Sequence, residues 1–239
     1  MEKEQGLDIG VDLGTTSVTV AFALLGSKET YLLQFGSGSA QKDNNELPAS
    51  FARSQKACRF GPDAYVYSGV LFQDIKLGIA GRQPYRDQLW QALRKAKREL
   101  HVRETPVSLL THLLQYVLKC LEEQLVARPE TRRLLAGRPF ESIRKRFWIT
   151  YPVRQNESLR MSLAEAALAA NIQEIYGVSE SIAAVQFFVE NSEKPLLTPT
   201  TVLLIDCGGG STVGGYAYRS NIQERSADIS IRSRMQLLS

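Results

Sequence analysis

LDIGVDLGTTSVTVAFA, residues 7–23, alternates apolar and polar or small residues up to Asp12, breaks at a glycine and hydroxyl turn, and then resumes its alternation. Alternation with a period of two marks half-buried strands, and so short a break between two such runs makes a hairpin. Leu7 to Leu13 and Val18 to Leu25 are therefore expected strands, and Thr30 to Phe35, after GSKE, adds a third to make a β-meander. The same logic returns at VLLIDCGGGSTVGGYAY, residues 202–218, where an apolar strand again ends in an aspartate, Asp206, before a glycine-rich turn and a strand of small residues. PLLTPT, residues 195–200, carries two prolines and reads as the linker before this second hairpin.

Between the hairpins the spacing changes. Gly36 to Gly69 is rich in turn residues, with only Asn45 to Arg53 expected to be extended. Helices are expected over Tyr85 to Leu100 and Val107 to Leu125, the second opened by Thr105 as cap and Pro106 in its first turn. Phe147 to Tyr151 is a strand ending before Pro152. A helix from Asn156, its N-cap, to Asn171 follows, then a strand from Ile172 to Tyr176. A last helix runs from Ser181 to Glu190 with Ile182, Val185, Phe188 and Val189 inward. Three strands, helices, then alternating strand and helix predict an α/β lobe with a mixed sheet flanked by helices.

At 239 residues and 44% hydrophobic content the chain can bury a sizeable core. No stretch reaches the roughly 20 apolar residues of a membrane helix and the first residues do not resemble a secretory leader, so a soluble, cytoplasmic protein is expected. Cys58, Cys120 and Cys207 are widely spaced and accompanied only by His101 and His112, a pattern that gives neither a disulfide framework nor a zinc site. The formal charge of +4 comes largely from residues 82–103 and 128–146. The first of these alternates with Leu89, Trp90, Leu93 and Leu100 at helical spacing and lacks interleaved stacking platforms, so it reads as a solvated helix face, not a nucleic-acid site. Trp90 and Trp148 are expected as core or half-buried anchors.

The chemistry lies in the two turns. Asp12 stands at a strand end beside Gly14, Thr15 and Thr16, where glycine lets the backbone approach an anion and the hydroxyls add donors. A carboxylate there repels phosphate but can hold Mg²⁺ or its waters. Three successive glycines, Gly208, Gly209 and Gly210, followed by Ser211, carry an entropic cost that phosphate cradling would explain. Neither turn is a Walker loop or a dinucleotide fingerprint. The plain alternative is an ordinary hairpin connection, but two such turns with an aspartate at the same offset favour the phosphate reading.

These motifs resemble those of the actin, sugar-kinase and Hsp70 superfamily. DIGVDLGTTSVTVAF is similar to its first phosphate motif and VLLIDCGGGSTVGGYAY to its second. WITYPVRQNESLRMSLAEAALAANIQEIYGVSESIAAVQFF, residues 148–188, resembles the segment between them, with Glu180, Ala183 and Ala184 at connecting-motif positions. FQDIKLGIAGR, residues 72–82, resembles a further Hsp70 segment, which favours that family over the sugar kinases; the cysteine in DCGGG places the chain in a divergent branch. The resemblance implies a ribonuclease-H-like, actin-like ATPase lobe over 1–194. Residues 195–239 are then a linker, the opening hairpin of an incomplete second lobe, and a divergent tail. It implies ATP and Mg²⁺ as ligands, with Asp12 and Asp206 positioning Mg²⁺ through water and Gly14, Thr15 and Thr16 holding the β and γ phosphates. Gly208 to Ser211 would close from the other lobe, and Glu180 would organise the attacking water or metal shell.

Two departures qualify the activity. The family's lysine is expected after Gly61-Pro62-Asp63-Ala64, where Tyr65 and Val66 stand, and Val213 and Gly214 occupy the positions of a second-motif aspartate. A chaperone-related ATP-binding protein with weak or no hydrolysis is the leading expectation. The alternatives are a non-catalytic interaction protein built on a degenerate lobe, and a sugar or acid kinase fragment.

Overall fold

The computed structural model describes residues 6–35, 45–61, 63–129, 131–132, 138–151, 157–191, 200–207 and 212–219. Its centre is a mixed sheet grown from the first hairpin. β1 (Gly6–Leu13) and β2 (Ser17–Leu24) pair antiparallel, Val11 opposite Val20. β3 (Thr30–Leu32) and β4 (Glu46–Pro48) lie along the other edge of β2, facing Ala21 to Ala23 and Ser17 to Thr19 respectively. On the opposite side of β1, β8 (Arg144–Tyr151) and then β9 (Glu174–Ser179) add in parallel, giving the order β3-β2-β1-β8-β9. The α/β class with a mixed sheet flanked by helices is thus as expected.

Pleating decides which face is buried. Leu7, Ile9, Val11 and Leu13 of β1 are at most 5% exposed, while Asp8, Gly10 and Asp12 point the other way. Val18, Val20 and Phe22 of β2 and Phe147 and Ile149 of β8 share the buried face. Against it lie two helices. α4 (Pro106–Ala127) opens with a capping box in which Thr105 Oγ1 accepts from the Ser108 amide at 3.1 Å and Ser108 Oγ accepts from the Thr105 amide at 2.8 Å, with Pro106 in the first turn. Its Leu110, Leu113, Leu114 and Val117 meet Val11, Val18, Ile149 and Leu163 of α5 (Glu157–Ala169). On the open face, Arg146 grips both Asp8 carboxylate oxygens at 2.7 and 2.5 Å. Trp148, 38% exposed, stacks on Tyr176 at 4.5 Å, the half-buried of the two placements expected for it.

In the turn-rich stretch the segment expected to be extended, Asn45 to Arg53, carries β4 and a further strand, and its surroundings hold more order than their composition announced. β5 (Phe51–Arg53), β6 (Cys58–Phe60) and β7 (Val70–Phe72) form a separate three-stranded sheet in the order β6-β5-β7, with α1 (Asp63–Val66) in the β6–β7 connection. β6 and β7, of three residues each, carry too little alternation to be read, and tertiary packing of Phe51 on Phe60 and Phe72, at 5.0 and 5.4 Å, supplies the stability of this sheet. Glu104 joins this sheet to α4: it accepts from Arg53 Nε at 2.8 Å and Ser108 Oγ at 2.5 Å, and His112 Nε2 lies 3.3 Å away. Burial opposes ionisation of Glu104, but hydrogen bonds from His112, Ser108 and Arg53 outweigh it and hold the carboxyl down at about 2.

β7 leads into α2 (Ile75–Ile79), unforeseen in the sequence, and then α3 (Tyr85–Lys95), which continues as a π-helical turn over Ala96–Leu100 and ends at His101 in the left-handed region, φ 55°. The expected helix over Tyr85 to Leu100 is therefore one element with a widened last turn. Farther on, β9 begins two residues later than expected and α6 (Glu180–Asn191) starts directly from its end. Phe188 of α6 is 52% exposed, not inward as its spacing suggested. The proposed cap Asn156 lies outside the described residues. β10 (Thr200–Cys207) and β11 (Thr212–Arg219) form the second hairpin as a two-stranded sheet of its own. Among the described residues, no helix is long and apolar enough to cross a membrane.

Candidate functional site

Three parallel strands, β1, β8 and β9, end at the same edge of the sheet. Val11 pairs with Ile149 and Ile149 with Gly177, so Asp12, Thr150 and Val178 stand side by side, and Glu180 comes two residues later as the first residue of α6. In open α/β sheets the carboxyl ends of the strands are where ligands bind, because the chain leaves each strand there and loop backbone becomes available to a ligand.

Asp12 is exposed at this edge, and Oδ1 accepts a hydrogen bond from Thr150 Oγ1 at 2.6 Å. The hydroxyl fixes the carboxylate's orientation while leaving acceptor capacity toward water. Four residues earlier on the same strand and face, Asp8 is committed to Arg146 and Trp148, so the two aspartates of LDIGVDL have different circumstances. The turn after Asp12 is tight: a Cβ on Gly14 would lie 2.6 Å from the Ser17 carbonyl oxygen, and the Thr16 carbonyl accepts from the Ala49 amide at 2.8 Å. Gly14, Thr15 and Thr16 thus sit beside Asp12 as expected. Glycine at position 14 is required by that close approach, since φ there is not left-handed.

The principal finding at this edge is Lys76. It projects from α2, all of whose residues are buried, and its Nζ lies 2.6 Å from Glu180 Oε1 with side-chain exposures of 8% and 20%. A small cavity is lined by Leu13, Gly14, Ser50 and Lys76, so the lysine and the Gly14 turn border the same space. A buried ammonium is expensive unless paired, and here the pairing spans from α2 to the start of α6. The family resemblance places a lysine after Ala64, where this chain has none. Tyr65 does stand there, but its hydroxyl accepts from Ser50 at 2.9 Å, and the buried cation enters from the next segment. The available signal was a single lysine in IKLGI, an otherwise apolar run inside a segment already singled out.

α2 is held in place from both ends. Asp74, just before it, has φ 49°, a left-handed conformation uncommon for a residue with a side chain, which turns the chain sharply from β7 into the helix. Gly78 lets α2 lie against α3, where a Cβ would meet Leu89 Cβ at 2.8 Å and the Tyr85 carbonyl oxygen at 3.1 Å. Gly78 therefore fixes how deeply Lys76 is inserted.

The structure brings Asp12, Gly14, Thr15, Thr16 and Glu180 to one edge. The backbone of Asp206 lies near the end of β10, in register with Val213, but its side chain and residues Gly208, Gly209, Gly210 and Ser211 lie outside the described residues. Among the described residues there is no group of three or more histidine, cysteine, aspartate or glutamate side chains placed to hold a metal ion. Mg²⁺ is ordinarily bound by one or two carboxylates plus waters and substrate phosphates, so a single oriented carboxylate such as Asp12 fits a nucleotide-borne ion. Neither a protein-family model nor a curated protein matches this chain.

Proposed function

We propose that this edge binds Mg-ATP and that the chain is an Hsp70-like protein whose sheet is a ribonuclease-H-like lobe. The observation that carries the reading is the Lys76–Glu180 pair, buried beside the Gly14 turn and next to the oriented carboxylate of Asp12. A tight turn, a paired cation and an exposed carboxylate at converging strand ends form a set that suits a polyphosphate carrying a divalent ion. The strand order, antiparallel in the meander and then parallel through β8 and β9, supports the lobe assignment.

In this reading backbone amides of the Gly14–Thr16 turn and its hydroxyls hold phosphate oxygens, and Asp12, oriented by Thr150, faces the ion. Mg²⁺, when bound, neutralises phosphate charge. Lys76 presents its ammonium toward the terminal phosphate, and Glu180 holds it there and can accept a proton from water. Lys76 supplies the cation that the sequence lacked after Ala64, while Val213 and Gly214 still stand where a second-motif aspartate is expected, so binding with slow turnover at most is proposed.

The test is calorimetric titration with ATP, with and without Mg²⁺, on the chain and on Asp12→Asn. Asp12 is exposed, so the variant keeps the fold while losing charge. Saturable Mg-dependent binding that weakens by about tenfold or more, about 1.4 kcal/mol, in Asp12→Asn is expected. No saturable binding by the folded chain would refute the reading and favour an interaction protein built on the same lobe.

A further inference from the structure

α3 carries a row of side chains that its core does not use. Leu89, Leu93 and Ala96 are buried, whereas Arg82, Arg86, Trp90, Arg94 and Arg98 follow one another at four-residue spacing and are all exposed, the tryptophan by 48%. Arg82 precedes α3 across the cis Gln83–Pro84 peptide, and its carbonyl accepts from the Arg86 amide at 2.8 Å, so it adjoins the row at the N-terminal end of the helix. Side chains at i and i+4 are surface neighbours, and from Arg86 to Arg98 the row forms a convex ridge about 18 Å long at roughly 1.5 Å per residue. Trp90, expected as a core or half-buried anchor, is half-exposed and stands between two arginines of the row.

The ridge is incompletely neutralised. Arg98 contacts Glu99 at 2.9 Å and Arg86 lies 3.8 Å from Asp87, both exposed pairs of small energetic value. Among the described residues, no ion pair forms with Arg82 or Arg94. Arginine's planar fork suits bidentate carboxylates, and tryptophan and arginine are the side chains that carry most of the energy in protein interfaces.

We propose that this Arg82–Arg86–Trp90–Arg94–Arg98 ridge docks a carboxylate-rich segment of a partner protein. A nucleic-acid strand is the poorer fit. Strand binders use grooves with successive aromatic platforms, not a convex ridge with one. A membrane surface is poorer still, because the neighbours of Trp90 on this face include Gln91 and Arg94, without the apolar stripe that enters lipid. The ridge uses no residue of the strand-end site, so its test is independent of the nucleotide reading.

The chain has two tryptophans, so Trp148→Phe leaves Trp90 as the reporter while keeping a ring against Tyr176. Titration of this variant with short poly-L-glutamate is expected to change Trp90 emission saturably. Arg86→Glu with Arg94→Glu should lower affinity by at least roughly tenfold, and a control of equal charge change, Lys56→Glu with Arg138→Glu, by less than roughly threefold. Circular dichroism verifies that both doubles are folded, and Arg86→Gln with Arg94→Gln provides a milder second ridge variant. The proposal is overturned if the control loses as much as the ridge variants, if poly-L-glutamate does not bind saturably, or if oligothymidylate of matched charge binds more tightly.

Discussion

Removing either partner of the buried pair at the strand edge should destabilise the fold unequally. Glu180→Leu leaves the Lys76 ammonium at 8% exposure with no counter-charge, the situation in which breaking a buried pair costs about 3–5 kcal/mol. Lys76→Met is nearly isosteric and leaves Glu180 at 20% exposure, where water can partly solvate the orphaned carboxylate, so a loss of about 1–3 kcal/mol is expected. The double variant, with no buried charge, should be more stable than the sum of the singles implies, by a coupling of at least about 0.5 kcal/mol. Urea unfolding followed by far-ultraviolet circular dichroism, with linear extrapolation, measures all three differences. For a chain of this length the larger loss corresponds to a midpoint fall of roughly 6–20 °C. Additive losses, or a Glu180→Leu variant as stable as the parent, would refute the reasoning, because neither outcome is compatible with an ammonium whose only charge partner among the described residues is Glu180.

Further outcomes follow from the packing around that pair. Glu104 has a folded-state value of about 2 against an ordinary 4.5, so between these values the unfolded chain binds more protons. Its stabilisation, about 3 kcal/mol by linkage, is fully present above pH 4.5 and lost as pH falls toward 2. Urea midpoints measured from pH 5 to 2.5 should show this loss, and Glu104→Gln should flatten it. Gly78→Ala places a methyl group 2.8 Å from Leu89 Cβ, and an overpacking cost of about 1–3 kcal/mol is expected in the same unfolding assay. Gly14→Ala meets the Ser17 carbonyl at 2.6 Å and should weaken Mg-ATP binding in calorimetry by distorting the turn.

Elements whose pattern is long enough to show a period were legible from local residues. LDIGVDLGTTSVTVAFA dictates β1 and β2 because alternation over seven or more residues commits one face to the core, and Thr105-Pro106 ahead of a leucine-rich period dictates the start of α4. The Asp12 turn was legible for the same reason, since a carboxylate and a glycine at a strand end need no distant residue to be noticed. The tertiary structure alone decided the rest. β6 and β7 are too short to show a period and are held with β5 by the packing of Phe51 on Phe60 and Phe72, while α2, equally short, is held against α3 at Gly78. Lys76 and Glu180 are 104 residues apart, and no local pattern joins them. Their meeting depends on Gly78 seating α2 against α3 and on β9 delivering α6 to the sheet edge. Local propensity works over a few residues, whereas pairing of a buried charge is decided by which chain segments the core brings within about 3 Å, so the scaffold was written in the sequence pattern and the cation at its edge was not.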